Sequence, residues 1–138
     1  MKLHVNLNDR LLTATPRTRA PIRSLSARRG DSLTVEVSLS MDGRIGPLPA
    51  GATVSIAAYA GPGSRTPLVY ATSPTTVGRG TATRYRFSNV SFALAGLATQ
   101  FASQRVIPLV FEVRVQSAYS IFTTAPVTLN VTQTALLP

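Results

Sequence analysis

The sequence predicts an all-β protein, a single immunoglobulin-like or jelly-roll-like antiparallel β-sandwich of about eight or nine strands. Two segments carry this prediction, residues 30–40 (GDSLTVEVSLS) and residues 107–116 (IPLVFEVRVQ). Apolar and polar residues alternate along both of them, which is the pattern of a strand with one buried face and one exposed face. Because the two strands lie far apart in the chain, we expect them to be the central strands of the sandwich.

Shorter alternating segments predict the other strands, and turn residues separate them. Gly30-Asp31 precedes the first central strand, and Asp42-Gly43 follows it as a typical hairpin signal. Residues 94–103 (LAGLATQFAS) place apolar side chains at helical spacing and predict one short helix that caps an end of the sandwich. The remaining strands are expected at residues 2–8 or 2–12, 53–59, 68–71, 81–87, 90–94, 119–124 and 126–133, with loops at 41–51, 61–67 and 73–80.

One segment, residues 13–29, departs from this pattern. Pro16 and Pro21 cannot donate to a strand ladder, so we expect an extended crossover on the surface, or a mobile arm. Ile22 and Leu25 would anchor it. The segment also carries five arginines, which are Arg17, Arg19, Arg23, Arg28 and Arg29. The whole chain, residues 1–138, has the length of one domain with one core.

Composition excludes several classes of protein. Hydrophobic residues make up 44% of the chain, which is too much for a disordered protein, and charged residues make up only 14%. The absence of cysteine excludes disulfides, cysteine-based zinc sites and thiol nucleophiles. No apolar run is long enough for a membrane-spanning helix, and the N-terminus has no signal peptide. We therefore expect a chain that stays in the cytoplasm of the cell that makes it.

The net charge of +9, which comes mainly from arginine, indicates an acidic partner. Guanidinium groups pair with carboxylates and phosphates through two parallel hydrogen bonds and are well tolerated in interfaces. A nucleic acid, an acidic protein surface and an acidic glycan would all fit this charge.

Residues for catalysis, cofactor binding or metal binding are not evident in the sequence. The only histidine, His4, alternates with apolar neighbours and is expected on an exposed face or edge. Glu36 and Glu112 are the only acids placed to act as a carboxylate pair, and we expect each to pair instead with Arg114, Arg84 or Arg86 across strands. There is no calcium-binding run and no phosphate-binding glycine loop. The sequence therefore predicts a protein that is not an enzyme.

The arginines are the candidate partner-binding residues. Those of residues 13–29 would form one basic arm, and Arg84 and Arg86 would form a second patch. Binding of nucleic acid is the main alternative function, but proteins that bind single strands stack bases on aromatic residues beside the basic ones. Only residues 84–87 (RYRF) combine the two types, and their aromatics are expected in the core. A carbohydrate-binding module is a weaker alternative, because there is no tryptophan for an exposed aromatic platform.

The order of these features resembles a known family. Gly30-Asp31 with its strand, residues 48–54 (LPAGATV) and residues 111–113 (FEV) carry the resemblance, which extends over residues 22–133. They are similar to the N-terminal β-sandwich module of phage baseplate upper proteins and phage tail-fibre adaptors. The resemblance implies a virion structural protein without enzymatic activity that docks on neighbouring capsid, tail or baseplate subunits.

The chain ends soon after its last predicted strand, whereas the family continues into fibre or receptor-binding regions. A capsid decoration protein and a small accessory subunit of the tail or baseplate are therefore both expected roles. In either role the protein would be a homo-oligomer within a symmetric assembly and would bind no membrane and no cofactor. Its edge strands could also pair with strands of neighbouring chains.

Overall fold

The computed structural model describes residues 1–16, 20–48, 51–117 and 120–133, which form the predicted all-β sandwich. Two 3-10 turns (Gly80–Ala82 and Ala95–Leu97) and one α-helical turn, α1 (Ala98–Phe101), accompany the strands. In chain order the strands are β1 (Lys2–Asn6), β2 (Leu11–Thr13), β3 (Ser24–Arg28), β4 (Ser32–Met41), β5 (Arg44–Ile45), β6 (Thr53–Tyr59), β7 (Val69–Ala71), β8 (Thr75–Val77), β9 (Arg84–Ser91), β10 (Val106–Gln116), β11 (Ile121–Thr123) and β12 (Val127–Thr132).

Two six-stranded sheets pack against each other. Sheet A has the order β2-β1-β4-β9-β8, and β5 pairs with the end of β4. Sheet B has the order β3-β12-β10-β6-β7, and β11 pairs with β10. The two segments that carried the prediction are central strands, β4 in sheet A and β10 in sheet B. Their inward side chains are apolar and buried, and they form one core between the sheets.

The sandwich was predicted to be antiparallel, but two strand pairs are parallel, so both sheets are mixed. β1 runs parallel to β4, and β3 runs parallel to β12. The cause is the path of the chain: after β2 it crosses to sheet B, forms β3, and returns to sheet A as β4. Parallel neighbours need such a crossover, whereas antiparallel ones need only a tight turn.

The predicted surface crossover over residues 13–29 is wrong for its second half. Ser24–Arg28 is a strand that pairs with β12 along its whole length. Its inward residue Ala27 is buried, and Leu25, an expected anchor, is partly buried against the core. The backbone N–H of Ile22, the other anchor, donates to the carbonyl of Leu12 at 2.8 Å. Arg17 and Arg19 lie outside the described residues.

Differences in strand number have simple physical causes. The predicted first strand is a hairpin of β1 and β2, and β5 and β8 are short strands in segments predicted as loops. The two strands predicted at residues 81–87 and 90–94 contribute to one strand, β9. Its pairing with β4 shifts register at Ser88-Asn89, the predicted break, and continues beyond it. Asn89 adopts a positive φ of 57° there, a conformation that asparagine tolerates better than most residues.

The predicted turns and the short helix are confirmed. Gly30 has a φ of +89° and donates its N–H to the carbonyl of Phe92 at 2.9 Å. Asp42 and Gly43 both have positive φ and link β4 to β5 in a two-residue hairpin. The helix expected over 94–103 is observed as a 3-10 turn followed by α1, whose Phe101 is buried at the end of the sandwich.

Candidate functional site

The arginines predicted to meet a partner do not form one surface. Arg28 faces outward from sheet B, because the preceding residue, Ala27, is buried in the core. Arg23 is exposed just before the same strand. Arg84 and Arg86 face outward from sheet A, because they alternate with two buried aromatics on β9. The two predicted patches therefore lie on opposite sides of the sandwich, and one flat partner cannot cover both.

Arg29 has a structural role that the sequence did not indicate. Its guanidinium carbon lies 4.7 Å from the centre of the Phe101 ring, a cation–π distance. One of its terminal nitrogens donates to Oε1 of Gln133 at 2.8 Å. Arg29 thus joins α1 to the end of β12, and it contributes less to a free basic surface than its charge suggests.

The outward side of sheet A is charged and internally paired. Arg86 lies 3.9 Å from Glu36 on the neighbouring strand, which confirms a predicted cross-strand ion pair. Lys2 on β1 stands opposite Glu36 in the strand ladder on the other side of β4. We call this surface outer face A; it consists of Lys2, His4, Asn6, Leu11, Thr13, Thr34, Glu36, Ser38, Ser40, Ile45, Thr75, Val77, Arg84 and Arg86.

His4 is the largest correction on outer face A. It lies on the side of β1 opposite the core, as the alternation predicted, but it is only 2% exposed, not at the surface. Its Nδ1 lies 2.6 Å from Oγ of Ser38, and its Nε2 lies 2.8 Å from Oγ of Ser40. Burial, and secondarily the positive charge of Arg84, lower the pKa of His4. His4 is therefore a buried polar link between β1 and β4.

The surroundings of His4 and of the acids do not match a known catalytic arrangement among the described residues. Ser38, which contacts the imidazole, is only 4% exposed. Both ring nitrogens of His4 contact serine hydroxyls, so neither contacts a carboxylate, as the histidine of a Ser-His-Asp triad does. Glu112 lies 3.8 Å from Arg114 on the outward side of sheet B, but both residues belong to β10, so the predicted pairing across strands is wrong for Glu112. Glu36 and Glu112 therefore lie on opposite sheets, and the two cannot act on one bond as a carboxylate pair.

The outward side of sheet B differs from outer face A. Of the exposed large hydrophobic residues among the described positions, Tyr70 (60% exposed), Ile121 (57%) and Val106 (47%) lie on it, at three separate places. Most of the remaining side chains are small and uncharged. We call this surface outer face B; it consists of Ser24, Ser26, Arg28, Ser55, Ala57, Tyr59, Tyr70, Val106, Pro108, Val110, Glu112, Arg114, Ile121, Thr123, Thr128, Asn130 and Thr132.

An open groove of about 570 Å³ lies in the middle of outer face B. Its floor is β10, with Val110, Glu112 and Arg114. One wall is the end of β6 and the loop over residues 61–65, and the other wall is the start of β12 with the preceding Pro126. The volume falls in the range of small-molecule and peptide sites.

Sequence reasoning did not find this groove, because strands distant in the chain build it. Alternation did predict that Glu112 and Arg114 face outward, but not that the loop after β6 rises beside them. Within the described ranges, no group of three or more histidine or acidic side chains is placed to hold a metal ion. Nor does any described helix have the length and hydrophobicity needed to cross a membrane.

Comparison with known proteins adds no further constraint on the site. No protein-family model matches the chain, and no curated protein gives a significant sequence match. What the chain does must therefore be argued from its own surfaces, of which outer face B, with its groove, is the best candidate site.

Proposed function

We propose that this protein is a non-enzymatic structural subunit of a bacteriophage or phage-like virion that docks on a neighbouring subunit through outer face B. The groove in the middle of that face is the observation that carries the docking proposal. The virion assignment rests on the sequence resemblance of Gly30-Asp31 with its strand, residues 48–54 and residues 111–113 to the phage module. A capsid decoration protein and an accessory subunit of the tail or baseplate are the two roles compatible with a sandwich of this size.

Outer face B has the size and composition of a docking surface. β10 alone is 11 residues long, and at about 3.3 Å per residue and about 4.8 Å between strands the sheet offers several hundred Å². A standard protein interface buries about 800 Å² on each partner. Exposed Tyr70 at the edge of the face, and half-buried Tyr59 at its centre, are residues of the type that contribute most to binding.

Quantitative mass spectrometry of purified particles tests this proposal most directly. A copy number close to that of the major shell protein would identify a capsid decoration protein. A copy number that is a small fraction of it would identify a tail or baseplate subunit. If the protein is absent from particles made by cells that express it, the virion proposal is wrong.

Binding of nucleic acid is the second candidate, and one observation favours it. Arg23 precedes β3, an edge strand of sheet B, and Arg28 is its last residue. Arg105 is exposed just before β10 of the same sheet. Such a row could follow a phosphate backbone, and binding would then fall steeply as salt increases. This candidate is supported if the protein is retained on single-stranded DNA at 50 mM salt and released at 200 mM. The double variant Arg23→Glu with Arg28→Glu should then be retained less. No retention at low salt would exclude it.

A further inference from the structure

The groove on outer face B combines apolar walls with two arginines. Tyr59, Pro62 and Pro126 supply apolar surface along the walls. Arg65 extends from the loop over residues 61–65, and Arg114 lies on the floor. An occupant therefore meets hydrophobic surface and guanidinium groups in the same space.

The two guanidinium groups are available to an incoming anion. Arg114 is 46% exposed, and its distance of 3.8 Å to Glu112 is long for an ion pair, so this pair is weak and open to exchange. Arg65 is exposed and forms no salt bridge with any described acidic residue. Within the groove the formal charge of Arg65, Arg114 and Glu112 is therefore positive by one.

Glu112 limits what kind of anion can bind. Its carboxylate is mostly shielded, with 18% of the side chain exposed, and it lies on the floor between the two walls. Tyr59 and Glu112 both line the groove. Burial raises the pKa of Tyr59, the negative charge of Glu112 raises it further, and the positive charge of Arg114 acts in the opposite direction. The negative charge of Glu112 repels the many charges of a phosphate backbone more strongly than it repels a single carboxylate. A single carboxylate can approach Arg65 and Arg114 from the rim of the groove.

From these observations we infer that the groove binds an extended acidic segment of the neighbouring protein subunit, an inference that rests on the proposed docking function. One carboxylate of the segment pairs with Arg65 and Arg114. The next apolar side chain on the same face packs against Tyr59 and Pro126. An extended segment fits because alternate residues then point into the groove and away from it.

Charge argues against a second copy of this chain as the occupant. Each copy carries a net charge of +9, so two copies repel each other at close approach. An acidic partner is attracted by the same charge, and the attraction raises its association rate. In a symmetric assembly, copies of this chain would then be held through that partner and not through groove-to-groove contact.

A designed peptide tests the groove without knowledge of the natural partner. The probe is a fluorescently labelled ten-residue peptide in which valine and glutamate alternate, and its lysine counterpart is the reference. We expect saturable binding of the glutamate peptide to the full chain, measured by fluorescence anisotropy at low salt, and none of the lysine peptide. Arg65→Glu and Arg114→Gln should each weaken binding about tenfold.

Arg79→Glu is the matched control, because Arg79 is exposed on the loop after β8 in sheet A and its reversal changes the net charge as much as Arg65→Glu does. It should leave peptide binding within twofold. Equal losses for Arg65→Glu and Arg79→Glu would show unspecific attraction and overturn the inference. The inference is also wrong if the glutamate peptide shows no saturable binding. It is likewise wrong if an oligothymidine of similar length binds more tightly than the peptide and loses as much affinity in Arg65→Glu.

Particle incorporation separates this inference from the proposed function. If the unmodified protein enters particles and Arg65→Glu enters equally well, the groove is not the docking site but the virion proposal stands. If the unmodified protein is absent from particles, the virion proposal fails, whatever the peptide shows. Unfolding midpoints in urea, unchanged in all three variants, would show that each effect arises at the surface and not from loss of the fold.

Discussion

The two outer faces of the sandwich are built on similar strands but carry different side chains. On outer face A, Glu36 is paired with Arg86, and His4 is buried between two serine hydroxyls. On outer face B, large apolar side chains stay exposed, and a groove remains open between the loop after β6 and the start of β12. Each face holds one long ion pair, Glu36–Arg86 at 3.9 Å on face A and Glu112–Arg114 at 3.8 Å on face B. The faces differ instead in the buried His4 of face A and in the exposed apolar side chains and open groove of face B.

This difference suggests a division between stability and binding. A buried polar group that loses its partner is costly, so changes in the centre of face A should lower the free energy of unfolding. Changes on face B remove groups that already contact water, so they should leave folding nearly unchanged and alter association instead. The following experiments test this division, in order of decreasing expected effect on stability.

His4→Ala should have the largest effect. It removes a buried ring and leaves the buried Ser38 hydroxyl without its partner, which should cost about 2–3 kcal/mol in the free energy of unfolding. Urea unfolding followed by circular dichroism measures it. Ser26→Ala, an outward change on face B, is the control and should cost less than about 0.5 kcal/mol. A His4→Ala protein as stable as the control would show that the imidazole does not hold β1 to β4.

Gly78→Ala should cost about 2 kcal/mol, because it strains the loop that leads out of β8. Gly78 has a φ of +81°, and a Cβ atom there would lie 2.3 Å from the carbonyl oxygen of Ala82. Gly96→Ala is the matched control, since a Cβ at Gly96 meets nothing within 4 Å and its φ is not in the positive range. We expect a lower unfolding temperature for the first variant only; equal temperatures would contradict the steric argument.

Acidification should reduce stability through His4. Burial, and then the charge of Arg84, lower its pKa in the folded chain below the ordinary value of 6.5. The unfolded chain therefore takes up a proton first as the pH falls. Stability should be constant above about pH 7, should start to decline as the pH passes 6.5, and should continue to decline until the folded-state pKa is passed.

Urea midpoints at pH 8, 6.5 and 5.5 measure this decline. His4→Gln is the control, because the glutamine side chain cannot titrate. The variant should give the same midpoint at all three pH values. A decline of equal size in the variant would show that another group causes the pH dependence.

Tyr70→Ser and Ile121→Ser should change stability by less than about 0.5 kcal/mol each, since both side chains are already exposed on face B. Their incorporation into particles should fall, because interface aromatics and apolar residues carry much of the binding energy. Met41→Ser removes an exposed apolar residue from the β4–β5 hairpin, away from face B, and is the control. Normal incorporation of both face-B variants would argue against docking through this face.

The Glu36–Arg86 pair should contribute least, about 0.5 kcal/mol or less, because the distance is long and Arg86 is 42% exposed. A double-mutant cycle with Glu36→Gln and Arg86→Gln isolates the interaction. A coupling energy well above about 1 kcal/mol would mean that face A is held by its ion pairs more than by His4.

Much of the fold could be predicted because the central strands alternate so regularly. In β4 and β10, the alternation of apolar and polar residues within the strand is enough to predict which face is buried. β3 was not predicted, because two prolines and the cluster of arginines suggested an exposed segment, and its inward Ala27 is too small to give a clear apolar signal. β8 (Thr75–Val77) was missed for a related reason, since two of its three residues are threonine.

The candidate site was less predictable than the fold. Alternation correctly placed Arg84 and Arg86 outward, but it gives no information on which sheet carries which strand. Arg28 was expected at the surface as part of an extended crossover and not by alternation. The sequence therefore could not show that the predicted basic patches lie on opposite sides. The burial of His4 depends on neighbours on β2 and β4 that only the pairing of distant segments brings together.

The parallel pairing of β3 with β12 has a consequence for folding order. Most strands of sheet A lie in the first two thirds of the chain, so β1, β4 and β9 can associate while the remainder is still being synthesised. Residues 24–28 must wait for residues 128–132. Contacts so distant in sequence form slowly, and until then an edge of sheet B and part of the core stay uncovered. Until residues 128–132 are made, that uncovered surface is exposed to association with other chains.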